Sequence, residues 1–433
     1  MNATAGPQYV VADRLLVGGV PSAEFDGVAL EKSRISGLVR RGTALPAGMV
    51  VRYPGSTILP GLVDAHTHVC MAWGEDLSQP ITEELLASSV ERGRLTAEGI
   101  LAAGVTTARD LGARGRAAQL VRGSLASCNG PRLVVSGRPI TSPNGHFASF
   151  GITARGPREA AQAVDTLAEE GVDLIKLVLT GGTSTPGTDP SSAQFNLDEV
   201  RAVTERARAH NLRVAAHAHG LAGIELAVDA GVDTIEHCSW ATAESFPGEP
   251  VGRLVDRIVE QGITIVVAGP LPAELAPGYS SKLPGTLTPS AGRVLKAWAN
   301  AATLIEAGAQ VALGTDSLFG QFPGWQDLII RAEALVAHGS WAPAQVVKLM
   351  TEAGAAALGL SGSIGRLGPG YQADLLVVGG DPSTDIRCLH RACAVYKGGQ
   401  LMSGSLPEGK ANDFQSPEQA PRLSGRNGLP PRP

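Results

Sequence analysis

Pro60-Gly61-Leu62-Val63-Asp64-Ala65-His66-Thr67-His68 is the stretch on which the reading of this chain turns. A short apolar run over residues 58–63 leads into two histidines two positions apart. On an extended strand such residues share one face, so both imidazoles point into the same space. Neutral imidazole is the commonest side-chain ligand for metal ions, and a zinc-like ion suits such a pair. The bland alternative is two polar residues at a strand end, their nitrogens satisfied by water.

Outward from this segment, seven further apolar runs follow: residues 104–107, 132–136, 174–178, 213–216, 234–236, 263–268 and 310–313. They are rich in Val, Ile, Leu and Thr, as strands buried on both faces should be. Between them lie Ala-, Leu-, Glu- and Arg-rich stretches with helical spacing, such as 83–102, 157–170, 198–210 and 221–230. Glu170-Gly171, His210-Asn211 and Ala230-Gly231 suit helix C-termini. Eight strand–helix units in series predict an α/β fold, a (β/α)8 TIM barrel over residues 58–362. An open doubly wound sheet is the alternative. Barrel enzymes carry their catalytic groups at the C-terminal ends of the strands. His66 and His68 follow the first run, Lys176 lies in the fourth, His217 follows the fifth, His237 the sixth and Asp316 the eighth. Five such strand ends exceed what packing alone would ask for.

The flanks read differently. Short β-like runs at 10–18, 37–40 and 49–53 precede the barrel, and others at 374–378 and 394–396 follow it. Both ends are expected to form one small β-sandwich domain, residues 1–57 and 363–406, that the barrel interrupts. Residues 407–433, rich in Pro, Gly, Ser and Arg, read as a disordered tail.

Composition excludes other classes. With 433 residues, 43% hydrophobic and 18% charged, the chain can bury a large core. A net charge of −5 without a basic run speaks against nucleic acid, whose phosphates need clustered Lys and Arg. No apolar stretch reaches the roughly 18–20 residues of a membrane span. Residues 1–13 lack the charged-then-apolar order of a secretory signal. The cysteines Cys70, Cys128, Cys238, Cys388 and Cys393 are scattered and form no CxxC pair. Reduced thiols in a cytoplasmic protein are the expectation.

At residues 60–68 the chain also resembles the first motif of the amidohydrolase superfamily. Other segments are similar to a subgroup of imidazolonepropionase-like proteins and Xaa-Pro or Xaa-basic dipeptidases. They are residues 104–112 (Gly-Val-Thr-Thr-Ala-Arg-Asp-Leu-Gly), Asp173-Leu174-Ile175-Lys176, Ala215-Ala216-His217-Ala218-His219-Gly220, Thr234-Ile235-Glu236-His237 and Gly314-Thr315-Asp316. The closing Ile364-Gly365, Gly370 and Ala373-Asp374-Leu375-Leu376-Val377 resembles the family's return into its β domain.

The resemblance implies two divalent metal ions, zinc before manganese or iron. His66 and His68 would hold the more buried ion with Asp316, and His217 and His237 the other. Lys176 would bridge both as an N6-carboxylated lysine. An ammonium cannot bind a cation, whereas a carbamate offers two anionic oxygens once burial has helped the amine lose its proton. The alternative is an ordinary lysine, as in the deaminase branch with one metal. The same placement leaves His219 facing substrate. It also gives His146, after the third strand, a part in binding or polarising substrate; a solvated loop histidine is the alternative. Asp316 would accept a proton from metal-activated water and pass it to the leaving group.

Smaller expectations complete the reading. Arg109 and Asp110 should form an ion pair or a loop brace. His210 and His338 suit helix ends, His390 the β domain, and none of the three is given a function. Residues 180–195 form a lid or a plain loop, and Trp240 lines the pocket or packs at its rim. Residues 321–328 lack the histidine seen in many relatives, and no arginine is securely placed for a substrate carboxylate. The expected function is hydrolysis of an amide-type C–N bond in a peptide-like, N-acyl amino acid or cyclic amide substrate by a metal-bridging hydroxide. A single-metal deaminase and a non-catalytic binding protein are the alternatives. A homo-oligomer acting on small molecules, without nucleic acid or membrane, is expected.

Overall fold

The computed structural model describes residues 8–46, 49–77, 79–125, 130–277, 288–319 and 325–404; Cys128 and the 407–433 tail lie outside them. The eight central strands are Leu62–Ala72, Val105–Asp110, Arg132–Val135, Leu174–Val178, Arg213–Gly220, Thr234–Ala241, Thr264–Val267 and Val311–Leu313. The first three pair in parallel, and so do the fourth to the eighth. Single backbone bonds also run between the two sheets. Asp173 N–H donates to Val135 O at 2.8 Å, and Asp316 N–H to His66 O at 2.7 Å. Every residue of the first strand except Ala72 is buried, as is every residue of the second, fourth and sixth. Strands enclosed on both faces need helices over them, and helices alternate with these strands along the chain.

Local signals explain the helices. Thr82 accepts from Leu85 N–H at the start of Glu83–Ala102. Asn196 and Glu199 form a reciprocal capping box on Leu197–Ala209, a device worth about 1 kcal/mol. That helix buries Val200, Val203, Thr204 and Ala207, the i, i+3, i+4, i+7 face of an amphipathic helix. Gly231 and Gly262 close their helices in the left-handed region. The result is an α/β fold with parallel sheets, as in a TIM-barrel-like domain. Among the described residues no helix is long and apolar enough to cross a membrane.

Strands from both chain ends form a third, eight-stranded sheet. Along it run Gln400–Gly404, Ala392–Lys397, Leu375–Gly379, Val50–Pro60, Gln8–Val17, Phe25–Glu31 and Arg34–Arg40, with Val20–Pro21 against Gln8–Val17. Val10, Val28, Ile58, Leu375 and Tyr396 belong to its separate core. It sits at the starts of the central strands, where Arg132 pairs with Asp374 at 2.9 Å and Lys397 Nζ donates to Gly130 O.

One expectation changes here. The 58–63 run is not one strand. Residues 58–60 end Val50–Pro60, which pairs antiparallel with Leu375–Gly379, and Leu62 opens the first central strand. The chain changes sheets at Gly61, where a Cβ would collide with the Thr106 side chain. His390 ends the turn Ile386–His390, yet its ring contacts the central body. Nδ1 lies 2.7 Å from Gln326 Oε1 and Nε2 2.9 Å from Glu333 Oε2.

Candidate metal centre

The side chains singled out on the first, fourth, fifth and sixth strands and after the eighth meet at one end of the body. His66 Nε2 lies 3.4 Å and His68 Nε2 3.1 Å from Asp316 Oδ1. One donor atom from each of these three residues falls within 4.8 Å of the others, and the same holds for His217, His219 and His237. The clusters adjoin, with the rings of His66 and His237 5.1 Å apart.

Each imidazole is held through one nitrogen, which frees the other. His66 Nδ1 sits 2.8 Å from Glu236 Oε2, and His68 and His237 donate from Nδ1 to Gly112 O and Ala268 O, each at 3.0 Å. His219 Nδ1 meets Ser239 Oγ at 2.9 Å, and His217 Nε2 donates to Gly181 O at 3.1 Å. Such outer partners fix the ring and tautomer of a metal-binding histidine. The backbone is bent for the purpose. His237, Cys238, Trp240 and Asp316 all have left-handed φ, between 47° and 68°. Strain of about 1–3 kcal/mol per residue persists only where surroundings over-determine the conformation. At Asp316 they do. Its own N–H is bound by His66 O, and Thr315 gives its N–H and hydroxyl to Asp64 at 3.0 and 2.7 Å.

Charge follows burial and neighbours. Burial pushes the Asp316 carboxyl up, but His66 and His68 beside it win and hold it well below the usual carboxylate range. Burial likewise pushes Glu236 up, and Arg109 and His66 bring it below that range. Lys176 is 1% exposed, and its Nζ has no hydrogen-bond partner among the described residues. Burial brings this amine down to about 8, against the pull of Glu236 and Asp316. Burial without a hydrogen-bond partner is costly for the ammonium form, and Glu236 and Asp316 offset that cost only in part. The donor set fits divalent metal ions.

His146 is buried rather than solvated. Its Nδ1 is 2.7 Å from Thr185 Oγ1, its N–H donates to Gln194 Oε1 at 2.5 Å, and its ring stacks on Phe147 at 3.8 Å. The ring lies 4.8 Å from His217, and burial holds it down to about 3, so it is neutral near pH 7. The 180–195 segment is tied down. Thr180 bridges Ala193, Gln194 Nε2 donates to Val178 O, and Thr188 Oγ1 donates to Gly182 O and Thr185 O. His219 sits among the donors, stacked on His237 at 4.5 Å and edge-on to Phe246 at 5.4 Å. Trp240 is buried.

Arg109 and Asp110 do not pair with each other. Asp110 braces its turn by accepting from Val69 N–H and Gly112 N–H. Arg109 pairs with Glu236 at 2.8 Å. Glu236 and Asp64 were given no role from sequence. A signal for Glu236 was present: a carboxylate inside a strand enclosed on both faces needs a cationic partner, and Arg109 lies within another such strand.

Comparison with known proteins agrees with this geometry. Residues 57–401 match the Amidohydrolase family. Ochratoxinase from Aspergillus niger is 28% identical over 385 residues, covering 80% of this chain and 76% of that protein. Imidazolonepropionase from Deinococcus radiodurans is 29% identical over 364 residues, covering 78% and 82%. A crystal structure of a Xaa-Pro dipeptidase with methionine in its active site superposes with a TM-score of 0.75 at 24% identity, over 92% of this chain and 99% of that one. Phenylurea hydrolase B gives 0.75 at 22% identity, over 92% and 96%. The two structural likenesses speak for the fold. The family match, running from the end of one terminal strand to the last, makes this chain a member of the amidohydrolase family, metal-dependent hydrolases of carbon–nitrogen bonds.

Proposed function

We propose that this chain hydrolyses an amide-type C–N bond in a peptide-like, N-acyl amino acid or cyclic amide substrate, using two divalent metal ions, zinc first. The observation that carries the reading is Lys176. Its buried amine lacks a hydrogen-bond partner among the described residues, and its charge is felt by Asp316 of one donor cluster and by His217 and His237 of the other. His66, His68 and Asp316 would hold one ion, His217 and His237 the second, and Lys176 both. For that, neutral Nζ forms a bond to the carbon of CO2, and the nitrogen releases its proton to solvent. When bound, the ions supply Lewis acidity and acidify water.

The chain's own groups do the rest. Asp316, kept ionised by His66 and His68, takes the proton of the attacking water and returns it to the departing nitrogen. His146 is neutral, and the Thr185 hydroxyl at Nδ1 can set the tautomer that leaves an N–H on Nε2 for the substrate carbonyl. His219, oriented by Ser239, faces the substrate from the outer cluster. The same reading takes the two parallel sheets as one closed (β/α)8 barrel, supported by the seam bonds at Asp173 and Asp316. Free thiols at Cys70, Cys238, Cys388 and Cys393 support a reducing, cytoplasmic setting.

Metal analysis of the purified chain, intact-mass measurement of carboxylation and a panel of dipeptides, N-acyl amino acids, lactams and cyclic imides test the proposal. Two ions per chain and turnover of at least one amide class are expected. Full turnover with one ion and an indifferent Lys176→Ala variant would sink it.

A further inference from the structure

Beneath the centre lies an ion pair that the reaction as described does not use. Glu236 and Arg109 are fully enclosed and meet at 2.8 Å. Taking two charges out of water costs several kcal/mol per ion, and an apolar pair of the same volume often serves stability as well or better. The bonding of this pair shows where it is aimed. Arg109 makes four bonds: Nε donates to Ala65 O at 2.6 Å, Nη1 to Thr234 Oγ1 at 3.1 Å and Ala357 O at 3.4 Å, and Nη2 to Glu236 Oε1. Ala65 immediately precedes His66. The second oxygen of Glu236 accepts from His66 Nδ1 at 2.8 Å. The other rings of the centre have neutral partners instead: the carbonyls of Gly112, Ala268 and Gly181, and the Ser239 hydroxyl.

We infer that Glu236, held in place by Arg109, is a positioning residue that sets the order of metal uptake. Its carboxylate fixes the His66 proton on Nδ1 and makes Nε2 the strongest imidazole donor of the centre. An anionic acceptor on the far nitrogen stabilises the positive charge that a ring acquires on binding a cation, more than a carbonyl can. Asp316 adds a second anion to the same half. The His66/His68/Asp316 half therefore fills first and holds its ion more tightly than the histidines of the other half. This inference rests on the two-metal reading.

Chelator-competition titration of the full chain with Zn(II), and with Co(II) followed by its absorption spectrum, tests it. The parent chain should fill in two resolved steps. Glu236→Gln should weaken the first step by about 10- to 100-fold, the range for outer partners of metal-binding histidines, and leave the second nearly unmoved. That variant strands the Arg109 charge and can fail to fold. The double variant Arg109→Met/Glu236→Gln removes both charges and should keep the affinity loss while recovering the melting temperature. Unchanged first-step affinity in either folded variant overturns the inference, and so does equal weakening of both steps. If the parent binds a single ion, the two-ion reading and the order of uptake both fail, and the loss at that one ion decides whether Glu236 still positions His66.

Discussion

The two donor clusters are built on different principles. His66, His68 and Asp316 are braced from behind. Asp64 and Thr315 tie the first strand to the Asp316 turn, Arg331 donates to Thr315 O at 2.7 Å, and Glu236 with Arg109 lies beneath His66. His217, His219 and His237 crowd one another, each ring held by one neutral partner. Their ring centroids stand 4.5–4.7 Å apart, and burial, followed by neighbouring charge, holds His217 and His237 well below the ordinary imidazole range. The first cluster has its charge and backbone geometry specified by buried bonds, so each change there should be felt in full. The second depends on neutral rings that share one space, so it can lose or exchange a donor more cheaply. It also adjoins His146 and Phe246.

Substitutions can break this contrast. Asp316→Asn should have the largest effect, a fall in kcat approaching 10⁴-fold, the upper range for a group that moves a proton. It should also lose the tighter ion, read by steady-state kinetics and metal content together. Lys176→Ala should lower turnover by at least about 10²-fold, since several kcal/mol of charge stabilisation goes with a metal ion. Its metal content should fall below two per chain. His146→Ala should cost about 10²-fold in kcat if the ring supplies a hydrogen bond to the developing oxyanion, with metal content unchanged. Metal loss in that variant would move His146 into the donor set. His219→Ala sharpens the comparison most directly. Retained metal with a raised KM places it on substrate; loss of the weaker ion places it on metal.

The smallest effect concerns pH. His146 is held down to about 3 in the folded chain, below an unfolded value of about 6.5. The unfolded state therefore binds the extra proton as pH falls between those values. Stability from this group is full above pH ~6.5 and declines toward pH 3, by at most about 1.4 kcal/mol per pH unit. The melting temperature of the chain should drop between pH 7 and pH 5, and His146→Gln should flatten that slope. An equal slope in both would assign the acid sensitivity to other groups.

Much of the centre was legible because its side chains follow short apolar runs, although the strands themselves continue past His66, His68, His217 and His237. His66, His68, His217, His237 and Asp316 each follow a run of Val, Ile, Leu or Ala, and polarity breaking an apolar run is visible in one dimension. Glu236 was hidden for the opposite reason. It lies inside such a run, and its role depends on Arg109 and His66, which come from two other strands. His146 was ambiguous because its burial is made by Thr185 and Gln194, residues of a loop far along the chain. The 58–63 run was read as one strand because both sides of Gly61 are equally apolar. Apolar composition says that a strand is buried; it does not say which sheet it joins, which is fixed by pairing register.

That junction bears on how the chain folds. Val50–Pro60 takes Leu375–Gly379 as its neighbour, with Pro60 opposite Leu375, so adjacent strands of the terminal sheet come from nearly opposite ends of the sequence. Such pairing carries a high loop-closure cost until the intervening segments have collapsed and brought the ends together. The helices and parallel strands of the body should therefore acquire protection from hydrogen exchange before the terminal sheet does. A chain cut short before residue 375 would leave the Val50–Pro60 edge open, and an unpaired apolar edge is a template for aggregation.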